Sequence, residues 1–353
     1  MSGRRLLALC VLGASSQGVA AQSLDAFQDW LLGCDNRRAC TAISLEPSSD
    51  VTGVHLSVAR SGEGAAEPVL RVRAYDGRRG PWRIRLTLDG SAWPDLDATA
   101  RDGTGEIEAA LPAERVRPLL AALRDVGRAS VTVLKGAEAG PEVPLRSRGL
   151  AAALRAMDQA QGRSGTVTAL VQPGPRPAAS LPAPPPLPVI AQARAGTAPL
   201  PERMPVPIAR AVAAADCDEP PDTNPIRGWL DERTLLWGVL CTRGATRETF
   251  ALFSHRKGDA AARPVALVTP GVAGGREAPN LLAGAAFDAR TATLSFHDAG
   301  RSSGDCGSLG RFVWDGARFR AVHVSAMPDC RGVSSADWPV TWRAAVRAGP
   351  PTR

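Results

Sequence analysis

Gly300-Arg301-Ser302-Ser303-Gly304 has the spacing of a nucleophile elbow, the sharp strand-to-helix turn that exposes a serine hydroxyl. Asp315 and His323 follow it in the Ser…Asp…His order of an α/β-hydrolase. In that chemistry His323 would take the Ser302 proton and Asp315 would orient the imidazole. The surroundings do not fit. Residues 293–296 read as the preceding strand, but Asp305-Cys306-Gly307 and another strand follow where the elbow needs a helix. A glycine–serine hairpin loop is the preferred reading, with a serine-type hydrolase centred on Ser302 as the alternative and no other catalytic set in view.

Cysteine is the next reactive type. Of seven, Cys10 lies in a short apolar run behind Arg4 and Arg5, and Val19-Ala20-Ala21 closes that run with small residues. This is the layout of a signal peptide over residues 1–21, too short for the ~20 residues of a spanning helix. No other stretch is long and apolar enough to span, so the expectation is export to the periplasm without a transmembrane segment. Export permits disulfides. The remaining cysteines fall close together along the chain as Cys34 and Cys40, Cys217 and Cys241, and Cys306 and Cys330. Spacing alone does not choose among the pairings. With nearest-neighbour pairing, chain entropy gives about 2.4 kcal/mol for the short loop and about 3.5 for each long one. An envelope redox accessory would need one of these bridges to be reducible. There is no Cys-x-x-Cys, and His55, His255, His297 and His323 are scattered, so neither a metal nor another cofactor is expected.

Asp95, Asp97, Asp102, Glu106 and Glu108 invite a calcium site, but a loop starting at Asp95 has Ala100 where an EF-hand needs glycine. The stretch reads as a solvated loop. The net charge of +7 comes almost wholly from dispersed arginine, Lys135 and Lys257 being the only lysines. Nucleic-acid binding needs a clustered stripe or a recognisable module, and neither occurs. Asp35-Asn36, between Cys34 and Cys40 and beside Arg37 and Arg38, suits a structural turn or a small recognition loop. Eight tryptophans accompany a single tyrosine. Trp314, Trp338 and Trp342 are candidate binding faces for a glycan or a proline-rich partner if exposed, and core against a disulfide if buried.

Strands must position these groups. Residues 54–59, 69–75 and 82–88 alternate with period two, and Asp76-Gly77 and Asp89-Gly90 supply turns. Residues 112–123 and 150–161 read as helices. In the second, Leu150, Ala153, Leu154 and Met157 share a face, Ser147 is the expected cap and Gly162 the stop. Residues 171–210 hold twelve prolines and read as an extended, semi-rigid linker without ladder donors or a regular helix. Beyond it, residues 230–234, 287–291 and 312–319 read as three hairpins with aspartate at the tip.

Three clusters carry a resemblance. Phe27-Gln28-Asp29-Trp30 with Cys34-Asp35-Asn36, Cys40 and Ala42 is one. Met157-Asp158, Gln161-Gly162-Arg163, Thr166 and Ala169-Leu170 form another. The last comprises Gly304-Asp305-Cys306-Gly307, Trp314-Asp315-Gly316, Phe319, Cys330-Arg331-Gly332, Trp338-Pro339 and Trp342. Together they resemble an uncharacterised family of bacterial exported proteins, a domain of unknown function. The resemblance implies a periplasmic, disulfide-bearing architecture and no reaction. The chain departs from that pattern at Gly244-Ala245-Thr246-Arg247 and at Ser302-Ser303. The N-terminal half is also similar in layout to the invasion-associated locus B proteins, which implies an envelope association.

The sequence thus predicts a mainly β protein with minor α content. A β-sandwich-like domain with one or two helices is expected over residues 22–170, the linker over 171–210, and an antiparallel meander or barrel over 211–353. The expected role is a non-catalytic binding or accessory module with an envelope protein or glycan as partner.

Overall fold

The computed structural model describes residues 24–47, 53–101, 105–220, 225–271 and 280–349. The signal peptide expected over residues 1–21, with Cys10, lies outside them, as does Asp102. The protein is mainly β, with antiparallel sheets and, among the described residues, three α-helices.

Period-two alternation builds the first half. Trp82–Leu88 buries Ile84, Leu86 and Leu88 and turns Arg83, Arg85 and Thr87 to the other face; Val69–Tyr75 does the same with Leu70, Val72 and Ala74. These strands belong to one eleven-stranded antiparallel sheet. Its hydrogen bonds run continuously instead of splitting into two sheets, because Leu96–Ala100 bonds to both Glu106–Ala110 and Trp82–Leu88. Helix α1 (Ala113–Asp125) and helix α2 (Leu150–Ala160) cover it. Leu150, Ala153, Leu154 and Met157 form the apolar stripe of α2 and join Trp30, Leu56 and Ile84 in one core. The expected side-chain cap from Ser147 is absent. Gly149 occupies the N-cap at φ 95°, where a Cβ would strike the Phe27 carbonyl.

The second half holds two five-stranded antiparallel sheets. One contains Ile226–Trp229, Thr234–Arg243 and Glu248–Arg256. The other is a meander of Ala285–Asp288, Thr293–Ala299, Gly307–Trp314, Phe319–Met327 and Val340–Arg343. Each of the three expected hairpins is closed by its aspartate. Asp231 accepts from the Arg233 and Thr234 amides, Asp288 from the Arg290 amide, and Asp315 from the Ala317 and Arg318 amides. Leu230, Leu236 and Leu252 of the first sheet meet Phe296, Phe312, Trp314 and Val324 of the second in a shared core.

The proline-rich stretch differs from expectation in two places. Val189–Gln192 pairs in parallel with Ala345–Ala348, and α3 (Val206–Ala213) forms at the end of the stretch. Prolines crowd its middle but leave residues 189–198 free of them, so those amides can bond; Pro207 sits in the first turn of α3, where no donor is needed. Contacts also cross between the halves. Leu31, Ile43 and Leu45 pack with Cys306, Met327, Val333 and Trp338 in one buried cluster.

Leu154 is fully buried in α2. Leu154→Ala should lower the free energy of urea unfolding by about 2–5 kcal/mol, the range for deleting a buried leucine side chain.

Candidate ligand-binding site

The structure does not bring the hydrolase residues together. Ser302 lies in the loop before the eight-residue Gly307–Trp314 strand and Asp315 follows that strand, which spans about 25 Å at strand rise. His323 Nε2 lies 3.1 Å from the Ser325 hydroxyl, and its strand pairs it with Arg311. Burial pushes its pKa down, and Arg343 and Arg311 add to the effect. Asp315 is engaged at its own hairpin tip, with Arg320 at 3.4 Å from its second oxygen.

Other polar motif residues are held by partners in the chain. Cys34–Cys40, Cys217–Cys241 and Cys306–Cys330 are disulfide-bonded. Asp35 is not an open recognition group. One of its oxygens accepts from the Arg37 and Ala39 amides, and the other from Arg343 Nε at 2.8 Å. Asn36 exchanges two hydrogen bonds with the Arg343 backbone, so this loop grips a C-terminal strand. Asp305 is similarly occupied. Burial works against its carboxylate, but bonds from Arg301, Ser303 and the Gly332 amide outweigh that and hold its pKa below the usual range. In the central block, Asp158 meets Arg60 at 2.5 Å and accepts from the Leu170 and Val171 amides. Gln161 accepts from Arg60 and Arg163, both buried. Burial draws the Arg60 pKa down to about 10, with Asp158 opposing, so Arg60 stays charged.

A further buried cluster joins the halves. Asp337 pairs with Arg73, with Arg101 at 3.0 Å and with His55 Nε2 at 3.2 Å. Arg73 also pairs with Glu108 at 2.5 Å, and Arg101 with Glu106 at 3.1 Å. A cavity of about 250 Å³ adjoins His55, Arg73, Tyr75 and Glu106. Burial, reinforced by Arg73, lowers the His55 pKa to about 4. Neutral at pH 7, His55 offers its Nε2 hydrogen to Asp337, and its buried Nδ1 has no hydrogen-bond partner. The arginines here already have carboxylates, so the cluster is better built as a fastening than as a receptor.

The concavity suited to a ligand lies in the second half. A cleft of about 530 Å³ is lined by Trp314, Phe319 and Trp342, with Ile190 and Val265 and, at the rim, Arg318. That size falls within the roughly 300–1,000 Å³ of small-molecule sites. Trp314 is fixed by Asp231, whose second oxygen accepts the indole N–H at 2.8 Å. Its ring meets Phe319 edge-on, with centroids 5.3 Å apart. The Trp342 indole donates to the Ala321 carbonyl at 2.9 Å. Both indole N–H groups are thus satisfied internally; Trp314 and Phe319 are core residues, 5% and 4% exposed, and reach the cleft by their edges, while half-buried Trp342 offers more of its ring. Trp338 belongs elsewhere. It is buried with the Cys306–Cys330 bridge, and its N–H bonds the Val333 carbonyl.

Residues 24–345 match a family described as "Protein of unknown function (DUF1176)". The chain belongs to that family. A curated relative, described as "Uncharacterized protein YpfG" from Escherichia coli (strain K12), is 28% identical over 367 residues, covering 92% of this chain and 93% of the relative. Among solved structures, invasion associated protein B from Bartonella henselae is 16% identical with a TM-score of 0.30, covering 39% of this chain and 98% of that one. At that score the two chains need not share a fold. The family match spans both halves, so the Asp337 fastening and the aromatic cleft lie within the matched region.

Sequence reasoning singled out Trp314 and Trp342 but missed Ile190, Val265 and the arginines that complete the cleft, because five separate segments meet there. One local signal existed. Arg318 and Arg320 flank Phe319 with period two, so the same turn that buries the ring exposes both guanidinium groups. His55, Arg73 and Asp337 carried no signal, being far apart in the chain.

Because folded His55 binds a proton less readily than the unfolded chain, protonation favours unfolding. Its contribution to stability should therefore fall as pH drops from about 6.5 towards about 4 and level off below. Urea unfolding should show roughly 2–3 kcal/mol more loss between pH 7 and pH 4.5 in the parent protein than in His55→Gln. Equal losses would show that His55 does not titrate this way.

Proposed function

We propose that the protein is an exported, non-catalytic binding module whose ligand enters the Trp314–Phe319–Trp342 cleft. The observation that carries this reading is that both cleft indoles are anchored by internal hydrogen bonds, so their surfaces are held in place before any ligand arrives. A preformed apolar surface binds without the cost of ordering side chains. Binding is favoured over hydrolysis by the separation of Ser302, Asp315 and His323 and by the internal engagement of Asp35, Asp158 and Asp305. The three disulfides favour an oxidising compartment, in keeping with the periplasm. Among the described residues no helix is long and apolar enough to cross a membrane. A division into residues 22–170 and 211–353 is supported by a main core within each part, the two being joined by the Leu31–Trp338 cluster, with residues 171–210 bonded to both. Arg38 donates to the Pro182 and Ala183 carbonyls, and Ile190 packs with Val313.

The neutral probe N-phenylnaphthylamine tests the cleft. Its fluorescence should rise on the folded, oxidised protein. Trp342→Leu should weaken binding by about tenfold, equivalent to about 1.4 kcal/mol, with an unchanged near-ultraviolet circular dichroism envelope outside the lost indole. No saturable binding, or binding indifferent to Trp342→Leu, would overturn the proposal.

A further inference from the structure

The charge around the cleft narrows its ligand. Arg263, Arg318 and Arg320 line it, and no aspartate or glutamate stands among the described lining residues. Two of the arginines have only loose partners. Arg320 lies 3.4 Å from Asp315 and Arg263 lies 3.6 Å from Asp259, with side chains 45% and 79% exposed, where ion pairs contribute little. The Arg318 side chain makes no ion pair among the described residues, although Asp315 accepts its backbone amide. The apolar floor and the cationic rim therefore belong to one concavity. The floor is Trp314, Phe319, Trp342 and Val265, and the rim is three cationic side chains that donate hydrogen bonds and accept none.

We infer that the cleft receives a free amphipathic anion, a single-chain carboxylate whose hydrocarbon body lies on the tryptophan floor and whose head meets Arg318 and Arg320. This rests on the cleft being the ligand site. The inference adds the sign of the charge and the chemical class. Size excludes a bilayer from such a cavity, while a single chain fits. The geometry also favours a carboxylate, because an arginine fork can bond both of its oxygens. A cationic amphiphile of the same length would find the same floor but a repelling rim.

The test uses the full oxidised protein and calorimetric titration with dodecanoate and dodecyltrimethylammonium, both below their micelle concentrations. Dodecanoate should bind at least about tenfold more tightly than the cation, the ratio produced by about 1.4 kcal/mol of charge complementarity. The Arg318→Ala/Arg320→Ala double variant should lose that discrimination and still bind neutral N-phenylnaphthylamine. Val268, 76% exposed and on the cleft wall, supplies a variant that leaves the core untouched. Val268→Glu should weaken dodecanoate without weakening the neutral probe. Equal affinity for the two amphiphiles, or discrimination that survives the double variant, would overturn the inference and leave the cleft as a charge-blind apolar site. Failure of the parent protein to bind the neutral probe would instead refute the binding site itself. Sedimentation with anionic phospholipid vesicles at a strength matching dodecanoate would assign the rim to a membrane surface and likewise overturn the free-anion reading.

Discussion

A carboxylate as buried as that of Asp337 is tolerable only with its charge matched, and the matching groups all come from the other half of the chain. Arg73 and Arg101 supply the charge, and neutral His55 a hydrogen bond, from the first sheet and its loops to a short helical turn near the C-terminus. Removing one member of such a set leaves the others charged and unsolvated, which costs several kcal/mol. The cluster thus fixes where residues 330–343 lie. Around it, Arg331 donates to the Glu46 and Leu45 carbonyls and to Asp29, and Asp35 and Asn36 grip Arg343. The Val340–Arg343 strand carries Trp342 into the cleft wall, so the ion cluster, the docked strand and the ligand surface form one chain of dependence.

Aspartate has the same use throughout. Asp158 and Asp305 accept backbone amides and arginine donors at once, tying a helix end and a disulfide loop to distant segments. Asp231 closes a hairpin with one oxygen and holds Trp314 with the other. Carboxylates so occupied are held in place by the fold and turned inward. Chemistry-bearing residue types are abundant in the motifs, while the Trp342 cleft is lined by aromatic, aliphatic and arginine side chains.

The strands from Val69 to Leu88, helix α2 and the three Asp-tipped hairpins were legible because each is decided by residues within one or two turns of chain. The continuous first sheet was not, since the bridging role of Leu96–Ala100 depends on partners that no local pattern names. Within the proline-rich stretch, composition averaged over forty residues concealed a proline-free run able to pair and a proline placed where a helix tolerates it. Ser302, Asp315 and His323 show the converse. Their order along the chain was right for a triad, but an intervening strand holds two of them at opposite ends of a hairpin. Asp35 and Asn36 read better as turn than as recognition residues, but that they bond Arg343 from the far end of the chain had no local signal.

Fluorine NMR of the protein labelled with fluorotryptophan is the most direct test that the aromatic cleft is the ligand site, with resonances assigned by single tryptophan-to-phenylalanine substitutions. On titration with N-phenylnaphthylamine the account predicts saturable shifts at Trp314 and Trp342, while Trp30 and Trp82, which pack in or against the first core, stay in place. Shifts confined to Trp30 or Trp82, or an unmoved Trp342 at saturation, would contradict it.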